Sequence, residues 1–540
     1  MFRPTSPQSS LFEVDAVLPD ALPKEDWCYL YREKILPLID EEAFRPLYAE
    51  SGGRPNAPIQ AMVSLLIFMS LEKLTWRAAE YLFPRRLDWM IATHTASGEA
   101  HIDHTTLFKF YQRLEGNPVA RGLFTTLVEA FTQACGISVK TQRTDSFFVH
   151  GWLRILSRYG LFKETLATFL RALRKHQPGL YEKISPALSQ DYLEKDFDLT
   201  EKDQERAQRK VALMARDLYR LKGAFETHPQ VRHYETFEIL CRVFTQQCQV
   251  EETPEQEPDI TLKETPDTDT ICTPHNSEVR YVRKGKQRVT GDKAVVTETC
   301  DPDNQVQLIT DVDLVPITTP DSALQPDLQD RLIENGFKPD TQYEDAGFVT
   351  GETILASQDK GIDLEGPVAG RSQSFDTFEH PDRPLDAADF EVQIDPDDGE
   401  LLVVACPNQQ LARGQQRSDK TGDLLVHFDA HQCRACPLAS RCPVLVGKRV
   451  ATFRVGEAQY VGARRHHRYM EDQGYRKKCA VRAGAEATVS ELTRAHGARK
   501  SRHRKAARTK LQILFAAIAC NVKRFIRYSQ ECACPELETA

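Results

Sequence analysis

The spacing of apolar positions predicts helices in the first quarter of the chain. Between residues 27 and 136, apolar side chains recur at three- and four-residue steps, for example at Ile59, Met62 and Leu66. Such spacing is typical of helices that pack one face against a core. We therefore predict an all-α N-terminal domain over 27–136. Its short helices could form a helix-turn-helix-like DNA-binding module or a bundle without a role in DNA binding.

The pattern changes to strand-like alternation at residue 137. The stretch ISVKTQRTDSFFV alternates and is rich in β-branched residues, which predicts a strand carrying Asp145 near its end. Further on, QRVTGDKAVVTETC and QVQLITDVDL flank the turn sequence DPDN and predict a β-hairpin. A helix over 322–336, a short strand in TQYEDAGFVT and a helix from Glu352 follow. Strand, hairpin, helix and strand indicate an α/β unit with mixed pairing.

The rest of the chain is predicted to form two inserts, a C-terminal helical segment and the two termini. Residues 151–279 are predicted to form a helical insert followed by a solvated linker, because 251–279 holds nine acidic residues and four prolines. Residues 367–469 are turn-rich with short strands and form a second, Cys-bearing insert. The chain is again strongly helical from about 475 to 528. Residues 1–26 are expected to form a flexible arm, and residues 529–540 a tail.

Charge is distributed unevenly along the chain. The 540 residues carry a net charge of −8, with 41% hydrophobic and 27% charged residues, a globular composition too long for one core. Residues 441–530 hold 22 Lys and Arg against 5 Asp and Glu, a net of +17, which leaves −25 for the remainder. A basic block on an acidic chain indicates a polyanionic partner for that block.

The sequence disfavours membranes, secretion and nucleotide cofactors. Its longest apolar run is shorter than the roughly 20 residues that a bilayer span needs, and the first residues lack a signal-peptide pattern. Fourteen cysteines in a chain this long do not suggest a disulfide scaffold, so we expect a cytoplasmic, nucleoid-associated protein with reduced thiols. The sequence contains no phosphate-loop motif of the form G-x4-G-K-S/T.

Four cysteines of the second insert have the spacing of a metal site. Cys433 and Cys436 form C-x2-C, Cys442 follows six residues later, and Cys406 lies upstream. Four thiolates suit tetrahedral Zn²⁺ in a structural role, since they leave no open position for a substrate. The alternatives are idle or buried thiols, or His431 as a substitute ligand.

Three acids and a basic segment carry the candidate chemistry. Asp145 and Asp345 fall near the ends of predicted strands, and Glu486 begins a predicted helix. Carboxylates from separate elements can hold two Mg²⁺ or Mn²⁺ ions, which promote displacement at phosphate. Among 78 acidic residues this signal is weak by itself. The sequence ARKSRHRKAARTK predicts a basic helix, which either contacts the DNA backbone or forms a solvated face. Its basic residues are Arg499, Lys500, Arg502, Arg504, Lys505, Arg508 and Lys510.

Several long blocks together resemble a known family. The blocks TQRTDSFFV, TGDKAVVTETCDPDNQVQLITDVDL, YEDAGFVTGETILASQDKGIDLEGPV and YRKKCAVRAGAEATVSELTRAHGARK occur in the family's order. With the N-terminal RPNAPIQAMVSLLIFMSLEKLTWRAAEYLF, they resemble the DDE transposases of bacterial insertion sequences. More narrowly, they resemble the branch with an N-terminal helical transposase domain, a helical insert after the first Asp and a Cys-bearing insert before the Glu. The resemblance spans about residues 30–527.

The resemblance implies an RNase H-like mixed-sheet core built from 137–150, 280–366 and 470–528. Within it, Asp145, Asp345 and Glu486 match the three catalytic, metal-binding acids, and Arg482 matches an arginine that contacts DNA phosphate. Glu491, on the same helix, is a rival for the third acid, but the R-x3-E spacing favours Glu486.

The family pattern is not matched at every position. Cys479 and Thr493 stand where the family has Tyr and Lys, and Gly291-Asp292-Lys293 replaces a G-Y-K block. We assign Lys293 to the DNA contacts together with Arg482, Arg499, Arg502, Arg504 and Lys505.

The function implied is transposition of an insertion sequence. The expected partners are double-stranded DNA, as terminal inverted repeats and as target, and a second copy of the chain on DNA. The expected cofactors are two Mg²⁺ or Mn²⁺ ions and a structural Zn²⁺. Two alternatives stay open: an inactive or domesticated DNA-binding relative, and a structure-specific nuclease on the same core.

Overall fold

A computed structural model describes residues 1–5, 12–19, 21–151, 156–184, 186–194, 204–251, 258–264, 270–277, 280–284, 287–394 and 401–533. Within these ranges, no single helix has the length and apolar character needed to cross a membrane. One bent pair of segments, Ile59–Leu71 with Trp76–Arg85, meets that test by length and composition only.

Helices dominate the chain at both ends and in the first insert. The α-helices are α1 (Val14–Val17), α2 (Trp27–Leu30), α3 (Ile59–Leu71), α4 (Trp76–Leu82), α5 (Leu87–Ala92), α6 (His104–Arg113), α7 (Val119–Ala134), α8 (Arg158–His176), α9 (Pro178–Tyr181), α10 (Pro186–Ser189), α11 (Gln204–Phe225), α12 (Glu235–Gln247), α13 (Gln325–Glu334), α14 (Gly351–Asp359), α15 (Phe375–Phe378), α16 (Ala430–Arg434), α17 (Glu457–Glu471), α18 (Gln473–Cys479), α19 (Ala485–Arg494) and α20 (Ala506–Ala533).

The strands fall into four sheets. They are β1 (Thr141–His150), β2 (Cys248–Glu251), β3 (Asp259–Leu262), β4 (Arg280–Lys284), β5 (Gln287–Thr299), β6 (Ile309–Pro316), β7 (Thr341–Tyr343), β8 (Asp363–Glu365), β9 (Glu391–Ile394), β10 (Leu401–Ala405), β11 (Gly414–Arg417), β12 (Leu424–Asp429), β13 (Leu445–Val446) and β14 (Val450–Val455). Helices and a mixed sheet together confirm the predicted α/β class.

The N-terminal region is helical as predicted, and its helices begin at capping residues. The Thr75 hydroxyl accepts from the Ala78 N–H at the start of α4, and Asp103 accepts from the first turn of α6. Helix α3 is buried on nearly all sides. In the region expected to be a flexible arm, Phe2 and Val14 are buried in this core, whereas most of the other described residues are exposed. Residues 6–11 and 20 lie outside the described residues.

The central sheet has the order β4-β5-β1-β7-β8, with β6 also pairing with β5. Strand β1 is antiparallel to β5 over Gln142–His150 and parallel to β7 over Thr141–Arg143. The predicted hairpin is β5–β6, which is antiparallel and begins its second strand at Ile309. The first strand therefore lies in the middle of a mixed sheet, between an antiparallel half and a parallel half.

The first insert has a hydrophobic core of its own, formed mainly by α8, α11 and α12. The predicted linker over 251–279 is wrong for its described parts. Strand β3 pairs with β2, and Ile271 and Cys272 are buried because their apolar side chains pack into or beside the insert core. Several of the acidic residues that suggested a linker fall in 252–257 and 265–269, which lie outside the described residues.

The second insert is rich in strands, as expected. Strands β11, β12, β14 and β13 form one sheet in that order, and β9 pairs with β10. Phe390 stacks on Phe453 at 3.9 Å between ring centroids inside a separate small core. Helix α17 connects this insert to the unit that contains the central sheet by packing on α14. Gly351 is needed there, because a Cβ would collide with the Ala458 carbonyl.

The predicted basic helix is wrong over residues 495–505. Helix α19 ends at Arg494 and α20 starts at Ala506, and the segment between them, here called the basic loop, is irregular. Its backbone bonds to the end of β1: the His150 N–H donates to the Arg499 carbonyl, and the Ser501 N–H donates to the His150 carbonyl. Gly497, with φ of 71°, allows the chain to leave the helix.

Candidate active site

Asp145 lies in the centre of the mixed sheet. It is half-buried on β1, opposite Val296 of β5, and its Oδ1 accepts a hydrogen bond of 2.7 Å from the Ser146 N–H. Burial raises the pKa of the Asp145 carboxyl to about 6, although that hydrogen bond opposes the shift. The carboxylates of Asp345, Glu486 and Asp321 lie close enough for their charges to raise this pKa further. Asp145 is thus the centre of an acidic group.

Asp345 occupies a turn two residues after β7. Its carbonyl accepts from the Phe348 N–H at 3.0 Å, and its side chain is exposed. Glu344, immediately before it, points into the sheet and is fully buried, and this burial raises the pKa of its carboxyl to about 8. Of these two neighbouring acids, the structure therefore presents Asp345 at the surface. Its Oδ1 accepts from Arg482, which belongs to the turn before α19.

Glu486 lies in the first turn of α19, at the start of the helix predicted there, and its side chain is exposed. Its side chain makes no hydrogen bond or ion pair with any described residue. Glu491, the rival acid, is held by Lys523 and Arg524 of α20 at 3.0 Å each. Hydrogen bonding to His496 and these cations hold the pKa of the Glu491 carboxyl well below its usual range. The surroundings of Glu491 are those of an ion pair between helices.

A buried ionic network fixes α19 against the sheet. Glu298 on β5 is almost completely buried and accepts from Arg143 of β1, Thr488 of α19 and Arg524 of α20. The Arg143 guanidinium also donates to the Val481 carbonyl at 3.1 Å, beneath the turn that leads to Glu486. Gly484 is required at that turn, because a Cβ would overlap the Arg143 guanidinium. These contacts determine where Glu486 lies relative to Asp145.

The donor atoms of the three acids fit hard divalent cations. Carboxylate oxygens from three separate elements are the ligands that Mg²⁺ and Mn²⁺ prefer. The acids are not among the tightest clusters of metal-capable side chains. Within the described ranges, sets whose ligand atoms all lie within 4.8 Å of one another are Glu80 with Asp103 and His104, Asp386 with Asp389 and His467, and Glu491 with His496 and Cys520.

Lys293 does not lie where a DNA contact would lie. Its side chain on β5 is only 5% exposed, and its ammonium donates to Asp321 Oδ1 at 2.6 Å and to the Thr319 carbonyl. The expectation that Lys293 binds DNA is therefore corrected, because its charge is satisfied inside the protein. Asp321, which approaches Asp145, was missed by the sequence reading. No local signal marks it, since it stands just before a short 3-10 helix in an ordinary Pro-Asp-Ser turn.

The other predicted DNA contacts are divided between free and engaged side chains. Arg499 and Arg504 are exposed and make no ion pair within the described residues, and Lys505 is 67% exposed at 3.9 Å from Glu115. The Arg502 guanidinium instead donates to the carbonyls of Lys73 and Leu74, which ties the basic loop to the N-terminal region. Arg482 is paired with Asp345.

The four cysteines expected to bind zinc line one small cavity. Cys406, Cys433, Cys436 and Cys442 surround a space of about 30 Å³ together with Phe428 and Val444. Burial raises the pKa of Cys433, and the nearby thiolates of the other three raise it further. His431, the alternative ligand, is not among the residues that line this cavity. The four thiols therefore line one cavity as expected, but no three of their sulfur atoms all lie within 4.8 Å of one another.

Two families match the chain. Residues 17–113 match the family described as Transposase domain (DUF772), and residues 405–526 match the family described as Transposase DDE domain. The second match contains the four cysteines of the cavity, Arg482 and Glu486, whereas Asp145 and Asp345 precede it. Neither a curated protein nor a solved structure matches the chain.

Both families consist of transposases, so the class of this protein is a transposase. The N-terminal transposase domain and the DDE domain follow each other in the order of the branch that the sequence resembles. The two matches together support a DDE transposase of an insertion sequence, so the resemblance is confirmed. This family implies DNA as the substrate, and DDE transposases generally use divalent metal ions.

Proposed function

We propose that the chain catalyses transposition of an insertion sequence by metal-dependent strand cleavage at the element ends and strand transfer into target DNA. Two observations carry this proposal. Asp345 and Glu486, on separate elements, lie close enough to Asp145 for their charges to raise its pKa, and Arg482, four residues before Glu486, contacts Asp345. A central first strand in a mixed sheet supports an RNase H-like catalytic core. The same strand provides Asp145.

In this proposal the three carboxylates hold two Mg²⁺ or Mn²⁺ ions. Bound there, the ions supply activation of a water or 3′-hydroxyl and stabilisation of the charge on phosphate. Asp145 is fixed by its strand and its hydrogen bond to Ser146, while Glu486 is fixed through Arg143 and Glu298. Arg482 is placed to exchange its contact with Asp345 for a DNA phosphate.

The DNA partners in this proposal are the terminal inverted repeats and the target duplex. Arg499, Arg504 and Lys505 of the basic loop neutralise backbone phosphates beside the active site, which positions the DNA without reading its sequence. Two element ends must be held together for transfer, so we propose that two copies of the chain act on DNA as a homodimer.

We also propose a structural Zn²⁺ on the four cysteines that line the small cavity. Thiolate ligands and their convergence on one cavity support it. A metal bound there would stabilise the second insert, whose sheet core is small. Removing Zn²⁺ with a zinc chelator is expected to lower the melting temperature, measured by calorimetry. It should also release one Zn²⁺ per chain, measured by a colorimetric zinc assay. No metal release would contradict this part.

The proposed function is tested by a strand-transfer assay on a duplex with an element end. We expect nicking and joining with Mg²⁺, neither product with EDTA, and no cleavage by Asp145→Asn while DNA binding is kept. Asp303→Asn, in the exposed β5–β6 turn, is the matched control and should behave as the wild type. Wild-type cleavage by Asp145→Asn would contradict the assignment.

The same assay separates the two alternatives. Binding of inverted repeats without any nicking by the wild-type chain would identify an inactive relative. Cleavage without joining would identify a structure-specific nuclease. Each outcome replaces the proposed function.

A further inference from the structure

The sheet alone does not hold Asp345 beside Asp145. The parallel pairing of β1 with β7 ends at Arg143 and Tyr343, two residues before each of these acids. Past that point, Asp145 continues on β1 in pairing with β5, whereas Asp345 enters a turn. Some contact outside the β1–β7 ladder must therefore keep the Asp345 turn close to β1.

Besides Arg482, which contacts Asp345 directly, a buried ion pair anchors the connection that packs on the Asp345 turn. Lys293 is on β5, opposite Phe148 of β1, and its ammonium donates to Asp321 and to the Thr319 carbonyl. Its side chain is almost fully buried, so the ammonium depends on these two acceptors for its solvation. Strand β5 and the connection from β6 to α13 are thus joined at Asp321.

Asp321 in turn packs against the turn that holds Asp345. A Cβ added to Gly347 would lie 2.8 Å from Asp321 Oδ2 and 3.4 Å from Asp321 Cβ. The conformation of Gly347 is open to other residues, but a Cβ there would force the Asp321 carboxylate to shift. The result is a continuous chain of contacts from β5 through Lys293, Asp321 and Gly347 to the Asp345 turn.

We propose that Lys293 and Asp321 are positioning residues that hold the Asp345 turn at the distance from Asp145 needed to share divalent cations. The proposal rests on the proposed function, because it assumes that Asp145 and Asp345 are metal ligands. Lys293 acts through Asp321, and Asp321 acts through its contact with Gly347. Neither residue needs to touch DNA.

The sign of the effect separates positioning from simple electrostatics. Lys293→Met removes a positive charge near an acidic site, so electrostatics alone predicts tighter binding of a cation. Loss of the ion pair that positions the ligands predicts weaker binding, by about 10-fold, the usual scale for residues that support metal ligands. A loss of affinity in this variant is therefore specific to a positioning role.

The experiment measures Mn²⁺ binding to the full chain without DNA, by the electron paramagnetic resonance signal of the free ion. We expect Lys293→Met and Asp321→Asn each to weaken binding, and Lys293→Arg to recover part of the loss. In the cleavage assay, Lys293→Met should need about 10-fold more Mg²⁺ for half-maximal rate, while its affinity for DNA is kept.

Lys360→Met is the matched control, since Lys360 also donates to a carboxylate, Asp330, and to a backbone carbonyl, of Pro326. It should bind Mn²⁺ as the wild type does. Circular dichroism checks folding, and Lys293→Gln, which also removes the positive charge, serves if Lys293→Met does not fold.

Wild-type Mn²⁺ affinity in Lys293→Met and Asp321→Asn would overturn the inference, as would a loss of DNA affinity with unchanged Mn²⁺ binding. Asp145→Asn distinguishes this failure from a failure of the proposed function. If Asp145→Asn loses Mn²⁺ and Lys293→Met does not, only the positioning role is wrong. If Asp145→Asn binds Mn²⁺ like the wild type, both proposals fail.

Discussion

Glu486 and Glu491 stand five residues apart on α19 in opposite surroundings. Glu486 is exposed and has no partner among the described residues, so its carboxylate is available to bind a metal ion. Glu491 is half-buried and bonded to Lys523 and Arg524. In the sequence, only the R-x3-E spacing favoured Glu486 over Glu491 as the third acid. Their contacts add a physical reason, because Glu491 is engaged in ion pairs and Glu486 is not.

Exchange for glutamine should affect cleavage at Glu486 and stability at Glu491. Glu486→Gln is expected to abolish cleavage and to change the free energy of unfolding by less than about 0.5 kcal/mol. Glu491→Gln should reduce the free energy of unfolding by about 2 kcal/mol, because charged hydrogen bonds are lost. Urea unfolding and the cleavage assay measure the two effects. The reverse pattern would make Glu491 the third acid.

The contribution of Glu491 also depends on pH. Its pKa is lowered in the folded state, so its stabilising effect is complete above the unfolded value and is lost as pH falls below it, from about 4.3 downward. The difference in unfolding free energy between the wild type and Glu491→Gln should therefore shrink in acid. A difference that stays constant between pH 7 and pH 3 would contradict this ion-pair role.

At the scale of elements, local patterns predicted most helices and strands but not how they join. Thr75 and Asp103 cap helices within the region where apolar spacing predicted them, and the β5–β6 hairpin follows its turn signal. The basic loop was predicted as helix because Arg, Lys and Ala favour helices. Its actual conformation depends on Gly497 and on bonds to His150, some 350 residues earlier in the chain, which no local pattern reveals.

The basic loop should loosen in mild acid. His503 stacks on Tyr111 of α6 with 5.1 Å between ring centroids, and burial together with Arg508 and Arg502 lowers the pKa of His503 to about 4, with Glu115 opposing. The unfolded chain takes up this proton at about pH 6.5, so stability falls as pH drops from there toward 4. His503→Gln should show a smaller fall in thermal denaturation over this range. An equal fall would exclude His503 as a cause.

The whole molecule separates its charges by region. The net charge of −8 conceals a block of +17, and this block contains Arg482, Glu486 and the exposed part of the basic loop. The sequence predicted that concentration of charge. It could not distinguish Lys293, which is buried against Asp321, or Arg502, which is bound to the N-terminal region, because burial depends on contacts between distant segments.

The salt dependence of DNA binding tests the exposed charges of the basic loop. Replacing Arg499, Arg504 and Lys505 together by Ala should weaken binding and make the slope of log Kobs against log salt shallower by about 0.9 per lost phosphate contact. Fluorescence anisotropy over a salt series measures this slope. The matched control replaces three exposed basic residues of the first insert, Arg174, Lys175 and Lys183. Equal slopes for both triple variants would show that the basic loop is not a phosphate contact.

The acids of the candidate site come from stretches far apart in the chain. Asp145 is translated early, whereas Glu486 follows after two inserts, and α20, which packs on α3 and β6, comes last. At roughly 5–20 residues per second, about 20–70 s separate synthesis of the first and third acids. Under the proposed function, a chain still on the ribosome, or one ended by a frameshift before Glu486, lacks one of the three metal ligands and cannot cleave DNA.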